Sequence, residues 1–199
     1  MRKTYVVGIT GGIASGKSAV SGILEKKGAY IIDADVVARE VAQPGGKCAA
    51  MLAEAFPEAF PEGVLDRRKL REEAFSDKQK LQKLNSITHP MIKAELARRI
   101  DGCAESVAFL VVPLMFETGC DSLCDYIVNV VSDEETRINR LKTRNNNITE
   151  ELAREIMRSQ LSENERVTRA DEVIVNNDSL EKLEAKVNEF YSKIKCREK

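Results

Sequence analysis

The chain has 199 residues, with 31 Lys and Arg set against 32 Asp and Glu, a net charge of −1 and five cysteines. At this length roughly 70% of the unfolded surface is buried on folding, so one core, with or without an inserted subdomain, needs no covalent staples. The balanced charge excludes a nucleic-acid binder held by overall attraction, and irregularly spaced cysteines with one histidine, His89, supply neither a disulfide framework nor a four-ligand zinc set.

The chain begins MRKTYVVGIT, charge followed by a short apolar run that leads straight into glycines. It reads as a strand over 4–9 and not as a secretion signal. The stretch GGIASGKS, residues 11–18, then fits the phosphate-loop pattern G-x-x-x-x-G-K-[ST]. Gly11 and Gly16 allow backbone angles that a Cβ forbids, so successive N–H groups of Gly11, Gly12, Ile13, Ala14, Ser15 and Gly16 can turn inward onto phosphate oxygens. Lys17 opens a helix whose positive end adds attraction. Its ammonium suits the β- and γ-phosphates of a nucleoside triphosphate, and the Ser18 hydroxyl suits Mg²⁺.

The second strand, 29–33, leads into IIDADVVARE. Asp33 and Asp35, read as i and i+2 on one strand, project together into the crevice at the strand's C-terminal edge. Arg39 follows one helical turn later. Either a carboxylate here serves as base for an acceptor hydroxyl, or it caps the helix. Residues 35–104 hold no convincing strand. They read as helices over 35–42, 47–56, 66–75, 77–85 and 89–104, an inserted helical subdomain. Pro90 suits the first turn of the last of these, where Ile92, Leu96, Ile100 and Cys103 share a face. His89 either caps that helix or makes one polar contact to a ligand.

Strands over 107–112, 126–131 and 172–176 complete an alternation of apolar β-branched runs and helices, the pattern of a doubly wound α/β sheet. The longest apolar run, Val107 to Phe116, holds Pro113 and is too short to span a bilayer, so a cytoplasmic protein without a membrane partner is predicted. Glu117, just past the third strand, either orients an acceptor, acts through a Mg²⁺-bound water, or is a surface acid. Ser132 with Glu135, and Asp178 with Glu181, are spaced as capping boxes. Between them Arg137, Arg140 and Arg144 share one helix face. That face is either a solvated charged surface or part of a cover over the nucleotide, about residues 137–165.

Together these stretches resemble the dephospho-CoA kinase family. The resemblance runs over about residues 5–190 and rests on GITGGIASGKS, IIDADVVAREV, LNSITHPMI, VVPLMFETG, ITEELAREIMRSQ and ADEVIVNN. It implies a P-loop kinase-like three-layer fold with five parallel strands in the order 2-3-1-4-5. Residues 1–34 and 105–199 would form the core and 35–104 the acceptor subdomain. It implies ATP and Mg²⁺, with dephospho-CoA as acceptor and no nucleic-acid partner; a monomer is favoured. Asp35 would be the base, Lys17, Arg140 and Arg144 would act on the phosphates, and Asp33, Arg39, His89 and Glu117 would surround the acceptor. The alternative is another P-loop kinase acting on a nucleoside, nucleotide or sugar acid. Ala14 stands where the family usually has glycine, tolerable where the local φ is negative. Met115 replaces a usual leucine, and Pro57 follows Phe56 where glycine is common.

Overall fold

The strands form where the β-branched runs lie, because residues of alternating direction must be covered on both sheet faces. In the computed structural model, which describes residues 4–197, they are β1 (Tyr5–Thr10), β2 (Tyr30–Asp33), β3 (Val107–Val111), β4 (Tyr126–Val131) and β5 (Glu172–Val175). All neighbours pair in parallel, in the order β2-β3-β1-β4-β5. Val7 and Ile9 of β1, Phe109 and Val111 of β3, and Val128 and Val130 of β4 face one way. They meet Val20, Ile23 and Leu24 of α1 (Lys17–Lys26) and Leu183, Val187, Phe190 and Ile194 of the last helix, Leu180–Arg197. Phe109 and Phe190 meet edge to face at 6.3 Å, a preferred aromatic geometry. The opposite face is covered in part by the segment carrying Met115 and Cys124, close above Gly8. There Asn129 Nδ2 also donates to Glu163 at 3.0 Å.

The chain divides into two compact units, one formed by residues up to Asp33 and from Ile100 onward, the other by Ala34–Arg99. The second unit contains α2 (Ala34–Val41), α3 (Lys47–Ala55), α4 (Arg67–Phe75) and most of α5 (Lys78–Asp101). Its core gathers Ala42, Cys48, Leu52, Phe56, Ala59 and Ile87, with Leu84 and Met91 packed alongside.

Four local expectations are corrected. The helices expected over 77–85 and 89–104 are one helix, α5, with Pro90 inside it and Cys103 beyond its end. Leu84, Ile87 and Met91 straddle the proline on one face, and their shared packing carries the helix through at the expense of one backbone hydrogen bond. His89 is therefore an interior residue and not a cap. The helix after β4, α6 (Glu134–Arg144), is capped by Asp133, whose carboxylate accepts from Thr136 N at 2.8 Å, while the Ser132 hydroxyl donates to the Asn176 carbonyl. The last helix starts after Ser179; Asp178 instead accepts from Lys182 and Lys186. Finally, β2 ends at Asp33 and Asp35 lies in the first turn of α2, so helical geometry and not strand alternation directs its side chain. After α6 follow α7 (Glu150–Arg158), capped by Thr149, α8 (Glu163–Arg169), capped by Ser162, and α9 (Leu180–Arg197). Among the described residues no helix is long and apolar enough to cross a membrane.

Candidate active site

A parallel sheet delivers all its strand ends to one edge, the place where open α/β sheets bind ligands. The phosphate loop leaves that edge from the end of β1. Gly11 and Gly16 take φ of 151° and 106°, and Gly16 is the N-cap of α1. A Cβ on Gly16 would overlap Asn176 Nδ2, and one on Gly11 would overlap the Val130 carbonyl oxygen and lie 2.6 Å from Ser15 Oγ. Both glycines are thus required twice, by conformation and by space.

The outer side of the loop is held by polar side chains. Arg137 Nε donates to the Ile13 carbonyl at 2.9 Å, and Arg140 Nη1 donates to the Ala14 and Ser15 carbonyls at 3.3 Å each. Asn176 Nδ2 donates to the Ser15 carbonyl at 2.8 Å, and Arg140 Nη2 donates to the Asn176 carbonyl at 3.0 Å. A peptide whose carbonyl is held outside turns the N–H of the next residue the other way. The clamps on residues 13–15 therefore leave the N–H groups of Ala14 and Gly16 turned toward a phosphate, while Ser15 N donates to the Gly12 carbonyl at 3.2 Å. Ile13 N donates outward to Gln160 Oε1 at 2.8 Å. Lys17 Nζ donates to the Gly11 and Gly12 carbonyls at 2.7 and 3.0 Å, which holds the ammonium within the span of the loop.

Ala14 departs from expectation. Its φ is +59°, in the left-handed region. Its methyl is buried against Ile138 and Leu141 of α6 and Ala153 of α7. The apolar contact offsets the strain that a Cβ meets in this conformation.

Two of the other predicted residues of the first unit lie at strand ends. Asp33 ends β2, and Glu117 follows β3 at the same edge. Glu117 accepts from Leu161 N at 3.1 Å, which ties it to the link between α7 and α8. Arg144 is exposed in the last turn of α6. In the second unit, Asp35 and Arg39 lie one turn apart on α2 and are exposed. The Arg39 carbonyl accepts from Arg67. Burial pushes the His89 imidazole below its usual pKa.

The sequence reading missed Asn176, Gln160, Glu163 and Arg166. Arg137 and Arg166 are buried at 5% and 2% exposure. A buried amide one residue past a strand's end, or an arginine in RVTRAD, carries no periodic signal. The only clue to Asn176 was its place at the end of a strand that finishes beside β4.

The loop suits a nucleoside triphosphate with its metal. Buried Ser15 Oγ has no hydrogen-bond partner among the described residues, the glycines leave a cradle that a Cβ would fill, and Ser18 is exposed at the first turn of α1. Residues 5–182 match the model of the family described as dephospho-CoA kinase. The chain belongs to the dephospho-CoA kinase family. A dephospho-CoA kinase from Fusobacterium nucleatum is 41% identical over 186 residues, covering 93% of this chain and 96% of that protein. The crystal structure of TT1252 from Thermus thermophilus superposes with a TM-score of 0.83 at 32% identity, covering 96% and 97% of the two chains. A dephospho-CoA kinase from Campylobacter jejuni superposes with a TM-score of 0.73 at 25% identity, covering 95% and 96%.

Proposed function

We propose that the protein transfers the γ-phosphate of ATP to the ribose 3′-hydroxyl of dephospho-CoA, giving coenzyme A and ADP. The observation that carries this reading is the outward-clamped phosphate loop in a chain of this family. The N–H groups of Ala14 and Gly16, the N-terminus of α1 and Lys17 hold the triphosphate and take up charge as it develops on the transferring group. Ser18 would hold Mg²⁺, which neutralises phosphate charge when bound.

The second unit supplies the acceptor site in this reading. Asp35 accepts the proton of the 3′-hydroxyl or orients that hydroxyl, and Arg39 and His89 bind the acceptor. In this reading Asp33 and Glu117 are acceptor-binding residues as well. Arg144, exposed on α6, reaches the phosphates, while Arg140 acts by holding the loop carbonyls. Transfer is in line: the bond from the acceptor oxygen to the γ-phosphorus forms as the bond to ADP breaks, and positioning supplies most of the acceleration. In this reading the protein works in the cytoplasm, with a monomer favoured.

The test is ADP release from ATP with dephospho-CoA, adenosine, nucleoside monophosphates and gluconate as acceptors. Rapid turnover with dephospho-CoA alone is expected. Strong activity with another acceptor, and none with dephospho-CoA, would replace this reading with that of a different small-molecule kinase.

A further inference from the structure

Beneath Gly12 two buried guanidinium groups share one carboxylate. Arg137 Nη1 donates to Glu163 Oε2 at 3.2 Å, and Arg166 Nε stands 3.6 Å from Glu163 Oε1, beyond hydrogen-bond reach. Arg137 Nη2 and Arg166 Nε are buried without a hydrogen-bond partner among the described residues. The cluster carries two positive charges against one negative, and Glu163 also accepts from Asn129. Buried cations in surplus are costly unless an anion completes them. Burial, opposed by the Glu163 charge and reinforced by the neighbouring Arg166 charge, lowers the Arg137 pKa.

The place of the surplus is informative. A Cβ on Gly12 would overlap Arg137 Nη2, lying 2.7 Å from its Cζ, and would sit 3.0 Å from Arg166 Nη2. The two guanidinium groups therefore press directly on the phosphate loop where glycine leaves room. Arg137 is anchored to Ile13 through Nε and to Glu163 through Nη1. The Arg166 guanidinium makes no hydrogen bond with any described residue and lines an open cleft of about 390 Å³ with Arg137, Arg158 and Gln160.

We propose that Arg166 is a further catalytic residue that donates hydrogen bonds to the γ-phosphoryl group of bound ATP, with Arg137 and Glu163 as the positioning residues that set its guanidinium against Gly12. This rests on the kinase reading above. The balance of the step is unchanged. The electrons of the breaking P–O bond go to ADP, the acceptor oxygen bonds to phosphorus, and the hydroxyl proton goes to a carboxylate. Arg166 supplies only positive charge to the oxygens of the group in flight.

The test uses the full chain, calorimetric binding and no acceptor. A charge-assisted contact confined to the γ-phosphate predicts that Arg166→Gln weakens a non-hydrolysable β,γ-imido ATP analogue by about 10- to 100-fold and leaves ADP affinity within about 2-fold. Arg166→Lys is expected to recover part of the analogue's affinity. Equal weakening of both nucleotides would mean that Arg166 only shapes the loop, and unchanged binding of both would remove it from the site; either result overturns the proposal. Should Arg166→Gln fail to fold, Arg166→Lys carries the test, and equal affinity loss for both nucleotides in that variant refutes it. A wild-type chain that binds neither nucleotide would instead sink the kinase reading.

Discussion

Gly12→Ala perturbs the phosphate loop at a point where no positive φ is involved, so its effect isolates packing. The added methyl overlaps Arg137 Nη2 and lies within 3.0 Å of Arg166 Nη2. Arg137 cannot swing aside cheaply, because it is 5% exposed and anchored to Ile13 at 2.9 Å and Glu163 at 3.2 Å. Overpacking costs about 1–3 kcal/mol, and weakening a charged hydrogen bond adds about 1.5–3 kcal/mol. A destabilisation of about 3 kcal/mol is expected, or about 6–12 °C in melting temperature for a chain of this size. Arg137→Ala alone is expected to cost a similar amount, since it orphans the Ile13 carbonyl and strips Glu163 of a partner. The double variant then has room for the methyl. It should melt close to Arg137→Ala, with a coupling well above the ~0.5 kcal/mol scatter of independent sites. Urea denaturation of the four proteins measures that cycle. Additive effects, or a Gly12→Ala protein as stable as wild type, would refute the clash.

Ala14→Gly is expected to be nearly neutral in melting experiments, because relief of about 1–2 kcal/mol of left-handed strain opposes the loss of a buried methyl worth ~0.8 kcal/mol and added chain entropy. Ala14→Val should lose about 1–3 kcal/mol, as a branched side chain tolerates that conformation poorly. Hydrogen bonds from Arg98 and then Arg99 hold the Glu95 carboxyl down to about 2, below the ordinary 4.5. Its contribution is therefore complete above pH 4.5 and lost as pH falls toward 2. Glu95→Gln should flatten the acid side of the stability curve over that window, by at most about 1 kcal/mol after solvent screening. Asp35→Asn should slow turnover by about 10²–10⁴-fold, the range for a lost general base, and Lys17→Ala should abolish both ATP binding and turnover; wild-type rates in either variant would remove that residue from the mechanism.

The sheet was legible because each strand is a short run rich in β-branched residues, and the central strands β1, β3 and β4 are buried on both faces, a pattern that depends on no distant partner. The phosphate loop was legible because its glycines are demanded by local geometry. Pro90 misled because local chemistry favours a helix start there, whereas Leu84, Ile87 and Met91 pack as one stripe across it. Ala14 misled because nothing near it in sequence reveals that its methyl points at Ile138, Leu141 and Ala153. Asn176 and Gln160 were invisible for the same reason: their partners lie far along the chain, as does the Gly12 backbone beside Arg166.

That distance has a consequence for how the loop gains its shape. The contacts that hold the loop close over 124 residues from Arg137 to Ile13, 147 from Gln160 to Ile13 and 161 from Asn176 to Ser15. The signature occupies residues 11–18, yet its shape depends on side chains as distant as Asn176, and contacts of such separation form late in folding. The clamped shape of the loop therefore needs β5 and Asn176 in place, and a lesion in that distant strand would loosen the loop without touching its signature.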